Sequence, residues 1–180
     1  DGKEILFNIG NWPNKRTMLI EYVNNQWTDA DTISFSVNRS ADEAIFSPNG
    51  QRIYYYAYNA PNSVGGSDLC YSEKVNLVWS EPINLGTVIN TPYCERTPFL
   101  HPDGKTLYFS SDGHYGLGRM DVFKSTRLSD SLWTEWSEPV NLGKEVNSTQ
   151  NDFGYKISTM GDVAYFSAYR KSDNFGESDI

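Results

Sequence analysis

Cysteine and histidine are scarce in this sequence of 180 residues, which contains two of each. A zinc site needs three or four converging ligands, and no Cys-x-x-Cys or His-Glu-x-x-His pair is present to begin one. The two cysteines, Cys70 and Cys94, make no disulfide framework, so whether they are bridged stays open. We expect no metal and no cofactor, although calcium binding by the glycine-rich loops is not decided by the sequence.

Basic residues and long apolar runs are also few. The formal net charge is −8 and the isoelectric point is near 4.7, so the chain repels phosphodiester backbones and anionic headgroups. No apolar stretch approaches the roughly 18 to 20 residues that span a bilayer. We therefore expect no nucleic-acid partner and no membrane span in this segment.

The usual signatures of a hydrolase are missing as well. No Gly-x-Ser-x-Gly motif occurs, and a serine nucleophile without a neighbouring histidine lacks its base. Residues 110–114 are superficially similar to the Asp-box of sialidases, but the later Gly and Trp of that box are absent. We expect no enzyme within this segment.

Aromatic residues, by contrast, make up 14% of the chain, with 12 Tyr, 9 Phe and 5 Trp. Aromatic and β-branched side chains favour pleated, half-buried surfaces. Residues 46–55, 100–109 and 157–166 align with one another, each as a short apolar strand, a tight turn and a strand rich in Ile, Leu, Tyr and Phe. A fourth copy occupies residues 1–7. These repeats predict an all-β fold.

Glycines mark the period of the repeat. Gly2, Gly50, Gly104 and Gly161 lie 48, 54 and 57 residues apart, a mean near 53, which is typical of a propeller blade. In the Pro-Asn-Gly and Pro-Asp-Gly turns, Pro presets φ and Gly accepts a positive φ. The third copy reads Thr-Met-Gly at residues 159–161, which leaves its turn type open.

The outer half of the unit recurs too. Residues 79–86 and 136–143 differ by one Ile-to-Val exchange, and their proline is tolerated in a strand at a sheet edge. A residue that the fold needs recurs in every copy of the repeat, whereas an active-site residue occurs in one copy, so recurrence indicates a structural role. The recurring positions outside the turn glycines are Asp68, Asp121, Asp179, Trp79 and Trp136.

In the register of a four-stranded antiparallel blade, the 180 residues make about 3.4 blades, whereas closed propellers need about four to eight. An open arc would expose apolar strand edges. We therefore expect one propeller domain of a larger molecule, with a six-bladed ring. Its parts are a partial, degenerate blade over 1–40, complete blades over 41–94 and 95–151, and the first half of a further blade over 152–180.

Residues 99–112, followed by 121–123, resemble the WD-like, Pro-Asp-Gly repeat of the TolB-like β-propeller family almost position for position. The Trp-x-x-Pro-x-Asn-Leu-Gly segment resembles the variant common in Bacteroidetes envelope proteins, where such propellers occur alone or beside OmpA-like domains. The likeness covers about residues 41–180 and, more faintly, 1–40. It implies an exported, non-enzymatic interaction module in the periplasm or at the outer membrane, with a protein partner in the cell envelope and with glycan or peptidoglycan reached through other domains.

The loops between the second and third strands of the unit vary most between copies, so they are free of the folding demands of the repeat. Tyr and Arg side chains carry much of the energy of protein contacts, about 2 kcal/mol or more at hot spots. The candidate binding residues are therefore Tyr58, His114, Tyr115, Arg119, Tyr169 and Arg170. Two alternatives stay open: a carbohydrate-binding propeller, and the accessory propeller of a hydrolase whose catalytic domain lies outside this segment.

Overall fold

The computed structural model describes residues 3–10, 16–33, 42–76 and 78–168, and every regular element within them is a β-strand. All pairings between these strands are antiparallel. The predicted all-β class is confirmed. No helix in these ranges has the length and apolar character needed to cross a membrane.

The first sheet comprises β1 (Glu4–Ile9), β2 (Arg16–Val23), β3 (Gln26–Trp27) and β4 (Asp31–Thr32). β2 pairs with β1 along the whole of β1 and with both short strands. The Trp-x-x-Pro segment of the later repeats is missing here, yet the short strands still pair with the preceding long strand. The first unit therefore keeps the strand pairing of the later repeats although it lacks their Trp-x-x-Pro segment.

The second sheet comprises β5 (Asp42–Phe46), β6 (Arg52–Ala57), β7 (Asp68–Val75), β8 (Val78–Trp79) and β9 (Ile83–Asn84). Both β8 and β9 pair with β7. The edge strand predicted over residues 79–86 is thus two short segments, because Pro82 between them has no N–H to give to a ladder.

The third sheet has β10 (Glu95–Leu100), β11 (Thr106–Ser111), β12 (Asp121–Thr126) and β13 (Val140–Asn141), paired in that order. It repeats the strand order of the second sheet. An isolated bridge between Arg127 and Trp136 occupies the position that the pair of Lys74 and Trp79 has between β7 and β8. The fourth sheet, as far as the structure describes it, is the pair β14 (Asp152–Ile157) and β15 (Ala164–Ala168).

Each first strand turns into the second in the same way. Gly50, Gly104 and Gly161 have φ of 67°, 69° and 76°, and each donates its N–H over 2.9 Å to the carbonyl three residues earlier. Glycine adopts this left-handed conformation at no steric cost. The Thr-Met-Gly turn of the last repeat is therefore closed like the proline turns, although it lacks the proline.

Strand β6 shows how the sheets stack. Its residues alternate between faces, with Ile53 and Tyr55 in one apolar cluster beside Leu6 and Leu19 of the first sheet. Tyr54 and Tyr56 lie in a second cluster with side chains of the third sheet. Because both faces are covered, residues 53–57 of this strand are hydrophobic or aromatic without alternating polar residues.

The other contacts between sheets follow chain order. Strand β5 lies against β1, β10 lies against β5, β6 and β7, and β14 lies against β10, β11 and β12. Trp79 and Trp136 are buried in the two clusters, and the Trp136 indole N–H donates to the Trp133 carbonyl at 3.0 Å. Both cysteines are free thiols, and Cys70 is buried between sheets.

Candidate interaction site at the loop end

Two kinds of loop meet at one end of the stacked sheets. The loops joining second to third strands lie against the connections that lead into the next sheet, through parallel bridges from Ser67 to Cys94 and from Met120 to Asn151. Backbone bonds reinforce each bridge, such as Glu95 N–H to the Ser67 carbonyl at 2.8 Å. We call this end, formed by residues 58–67, 91–94, 112–120 and 148–151, the loop end.

Glycine permits the close approach of these loops. A Cβ added to Gly65 would collide with the backbone carbonyls of Thr91 and Tyr93, and one added to Gly118 would collide with the carbonyl of Ser148. Both glycines stand three residues before the recurring aspartate. The absence of a side chain at this position therefore lets each loop lie directly on the following connection.

The recurring aspartates hold these loops. The Asp68 carboxylate is fully buried and accepts hydrogen bonds from the Val64 N–H at 2.6 Å and the Gly65 N–H at 3.0 Å. Asp121, also buried, accepts from the Leu117 N–H in the same way. The third aspartate of the series, Asp179, lies outside the described residues.

Two asparagines per repeat complete the network, and the sequence analysis did not single them out. Asn84 donates to Asp68 at 2.7 Å, and Asn141 donates to Asp121 at 2.9 Å. Asn90 bonds both the N–H and the carbonyl of Leu69, at 2.7 and 2.9 Å, and donates to Asn84. Asn147 makes the equivalent bonds to Val122 and Asn141. The signal that could have found them was their recurrence in both copies.

The first residue of β10 and the first residue of β14 each carry a buried carboxyl group. Glu95, at the start of β10, accepts from the Thr91 N–H at 3.0 Å, the Thr91 hydroxyl at 2.6 Å and the Ser111 hydroxyl at 2.8 Å. Burial raises the pKa of the Glu95 carboxyl to about 7. Asp152, at the start of β14, accepts from the N–H and hydroxyl of Ser148.

Two of the predicted binding residues are tied to the scaffold. The Tyr58 ring is 42% exposed, and its hydroxyl accepts a hydrogen bond from Arg96 of the next sheet at 3.1 Å. His114 is half-buried, with its ring against Phe109 and Phe123 and Nε2 2.9 Å from the Ile89 carbonyl oxygen. His114 therefore serves mainly to pack the third sheet against the connection before it.

The exposed part of the loop end is centred on Tyr115, whose side chain is 99% exposed. Leu117 and Arg119 follow it on the same loop and are also exposed. Tyr93, which the sequence analysis did not select, is 61% exposed on the adjoining connection. The predicted residues Tyr169 and Arg170 lie outside the described residues. We call Tyr93, Tyr115, Leu117 and Arg119 the loop-end patch.

Comparison with known proteins bears on the fold. No protein-family model and no curated protein matches the chain. It is similar to an α-L-arabinofuranosidase from Lactobacillus brevis, with a TM-score of 0.58 and 17% identity over 98% of this chain and 65% of that one. The fold is β-propeller-like. A proposed 6-phosphogluconolactonase from Bacteroides uniformis has a TM-score of 0.46 and 13% identity, over 100% of this chain and 52% of that one.

The propeller-like chain spans less than two thirds of the length of either of these structures. At such identities the likeness concerns the fold. Within the described ranges, no group of three or more His, Cys, Asp and Glu side chains is placed to hold a metal ion. What the loop end offers chemically is an exposed aromatic and cationic surface, and this surface stands on a base fixed by buried hydrogen bonds.

Proposed function

We propose that this chain is part of a TolB-like β-propeller that acts as a non-enzymatic protein-interaction module of a bacterial cell envelope, in the periplasm or at the outer membrane. The ring would hold six blades, of which the 180 residues supply about 3.4. In support, the second and third sheets share one strand layout and stack in chain order. The resemblance of the Pro-Asp-Gly repeat supports the location.

The observation that carries this proposal is the exposure of Tyr115 on a rigid base. Its loop is held by Asp121 and lies directly on the connection at Ser148. A binding surface whose backbone is ordered in advance loses less conformational entropy on association. Exposed Tyr and Arg side chains on such a base are typical of the residues that dominate protein interfaces.

Site-specific photo-crosslinking tests this function. A photoreactive phenylalanine at position 115 is expected to form one discrete protein adduct in the envelope fraction of the producing bacterium. The same probe at position 160 serves as the control, because Met160 is equally a protruding side chain but lies in a turn at the opposite end of the sheets. A purified adduct partner should then bind the chain, and should bind the variants Tyr115→Ala and Arg119→Ala more weakly. Equal adducts from both positions would contradict the proposal.

Carbohydrate recognition is the second candidate, favoured by the structural likeness to an arabinofuranosidase and by exposed tyrosines that suit stacking on sugar rings. A hydrolase whose catalytic domain lies elsewhere in the full protein would use the same propeller as an accessory. A glycan array probed with the chain separates these functions from protein binding. Retention of one glycan class, abolished by Tyr115→Ala, would favour the carbohydrate function at the loop end.

A further inference from the structure

The segment between β12 and Trp136 is longer than its counterpart in the second sheet. Fifteen positions separate Asp121 from Trp136, whereas eleven separate the equivalent Asp68 from Trp79. The third repeat therefore carries four additional residues, which fall within residues 128–135. Because the residues that the fold needs recur in each copy, a feature that this segment alone possesses is a candidate for a function of its own.

Trp133 is such a feature, since the second repeat has no tryptophan between Asp68 and Trp79. The half-buried indole of Trp133 has its ring centre 4.2 Å from the guanidinium carbon of Arg52 and 3.8 Å from that of Arg127. It thus holds a cation of the second sheet close to a cation of the third sheet. Both lie at the end of the sheets that carries the tight turns.

The two arginines have one carboxylate between them. Arg52 donates from Nε to Glu73 at 2.8 Å, and its Nη2 lies 2.6 Å from the same carboxylate oxygen. Arg127 donates to the backbone carbonyls of Gly104 at 3.3 Å and Ser129 at 2.7 Å, and no carboxylate in the described ranges forms an ion pair with it. Like charges repel strongly where water is partly excluded, so an anion is favoured here.

Each guanidinium also retains an unused amino group. The hydrogen bonds and the ion pair involve Nε and Nη2 of Arg52 and Nε and Nη1 of Arg127. Within the part of the chain that the structure describes, Nη1 of Arg52 and Nη2 of Arg127 therefore have no acceptor. The Arg52 side chain is 19% exposed and Arg127 is half-buried, so solvent reaches both. Guanidinium N–H groups match the oxygens of carboxylates and phosphates.

The Tyr54 hydroxyl is a further donor without an acceptor. Tyr54 is fully buried, and its hydroxyl has no hydrogen-bond partner among the described residues. Its ring centre lies 6.1 Å from that of Trp133. Burial raises the pKa of Tyr54 above its ordinary value, and the charges of Arg52 and Arg127 oppose that rise, so the hydroxyl is within electrostatic reach of both cations. A buried tyrosine hydroxyl is normally hydrogen-bonded, which makes this one available to a ligand.

We propose that Arg52, Arg127 and Tyr54 form a binding site for an oxyanion, the carboxylate or phosphate group of a small molecule. The unused amino groups bind its oxygens, and the Tyr54 hydroxyl donates to it through a bridging water, since the hydroxyl is itself closed off from solvent. Trp133 is a positioning residue that orients both guanidiniums. The site does not rest on the proposed protein interaction, because it lies at the end opposite the loop-end patch.

NMR titration of the intact protein with sodium phosphate and, separately, with sodium succinate tests the proposal, with sodium chloride at equal ionic strength as the reference. The indole N–H resonance of Trp133, identified by its loss in Trp133→Phe, reports on the site. At least one of the two oxyanions is expected to shift this resonance saturably, and the one that does so identifies the group bound. Arg127→Gln should weaken that binding by at least about tenfold, the loss expected for one charge-assisted hydrogen bond.

Lys144→Gln is the matched control, because it removes one positive charge from an exposed position on the connection after β13 and should leave the affinity unchanged. Tyr54→Phe separates binding from folding. It removes a hydroxyl that has no partner in the described structure, so the free energy of unfolding of the ligand-free protein should not fall. Binding of the oxyanion should nevertheless weaken by about threefold or more.

The proposal is overturned if neither oxyanion shifts the Trp133 resonance beyond the effect of chloride. Unchanged binding in Arg127→Gln or in Tyr54→Phe would also overturn it, as would a loss in Lys144→Gln equal to that in Arg127→Gln. Protein crosslinking through position 115 would be unaffected by any of these results.

Discussion

The guanidinium carbon of Arg52, in the second sheet, lies 4.2 Å from the ring centre of Trp133, in a loop of the third sheet. Arg127 lies 3.8 Å from the same indole, and Arg52 is held in turn by Glu73 at 2.6 Å. Trp133 therefore joins two adjacent sheets at the end opposite the loop-end patch.

Replacement of Trp133 by alanine is expected to destabilise the protein by about 2 kcal/mol, since two cation–π contacts and part of an interface are lost. Urea denaturation measures this free energy of unfolding. Trp133→Phe should recover about half of the loss, because a smaller ring keeps the geometry with a weaker quadrupole. A loss below about 0.5 kcal/mol for the alanine variant would show that the sheets do not depend on this contact.

The buried carboxyl of Glu95 should make stability depend on pH. Its pKa is raised to about 7 in the folded protein, so the folded state holds a proton that the unfolded state releases near its ordinary value. The stabilising contribution is complete at acidic pH and is lost as pH rises toward and through 7. The total decrease in the free energy of unfolding is of the order of 3 kcal/mol.

Glu95→Gln isolates this effect, because other carboxyls titrate identically in both proteins. The free energy of unfolding of the glutamine variant, minus that of the parent, should increase between pH 5 and pH 8 by an amount of that order. The comparison needs chemical denaturation at several pH values. A difference that is constant with pH would mean that Glu95 ionises as it does in water.

Asn90 should be indispensable to the loop end. Asn90→Ala leaves the buried N–H of Leu69 without a partner, while the Leu69 carbonyl keeps the hydrogen bond from the Leu85 N–H at 3.1 Å. The expected cost is about 1 to 3 kcal/mol in thermal or urea unfolding. The control is Asn151→Ala, an exposed position on the next connection, which should change stability by less than about 0.5 kcal/mol. Similar effects from both substitutions would refute a special role for Asn90.

Two glycines should respond differently to alanine. A Cβ at Gly118 would overlap backbone carbonyls of the adjoining connection, so Gly118→Ala should cost more than about 2 kcal/mol and displace the Tyr115 loop. Gly143 has open space around it but a φ of 77°, so Gly143→Ala should cost about 1 kcal/mol through backbone strain alone. Unfolding measurements on the pair distinguish close packing from dihedral strain, and the reverse order of costs would contradict both assignments.

The two thiols should differ in reactivity. Burial, with a smaller contribution from the nearby Asp68 carboxylate, raises the pKa of the Cys70 thiol to about 12, and the side chain has no solvent access. Iodoacetamide at pH 8 followed by mass spectrometry should therefore modify Cys94, which is half-buried, well before Cys70. Iodoacetamide should modify Cys70 only as fast as the protein unfolds. Equal rates in the folded protein would show that the second sheet opens readily.

Much of the architecture could be predicted because each repeat forms the same turns and strands and therefore keeps the same residue types at the same positions. Recurrence in the sequence identifies the turn glycines Gly50 and Gly104 and the tryptophans Trp79 and Trp136 as structural residues. The register of β5 shifts near Glu43 and that of β10 near Thr97, where both residues have a positive φ, and these bulges were not predictable because neither residue type is associated with a positive φ. Their conformation follows from strand pairing, which local sequence does not specify.

The sequence by itself determined an all-β chain of repeated hairpins, since tight turns and aromatic strands are local features that each repeat carries within its own residues. Tertiary structure alone decided which varied residues are exposed. It turned the ring of His114 inward, left Tyr93 and Tyr115 outside, and brought Glu43, Thr97 and Gly154 to one cavity. The reason is that exposure and convergence depend on how neighbouring sheets stack, and that stacking joins residues more than 50 positions apart.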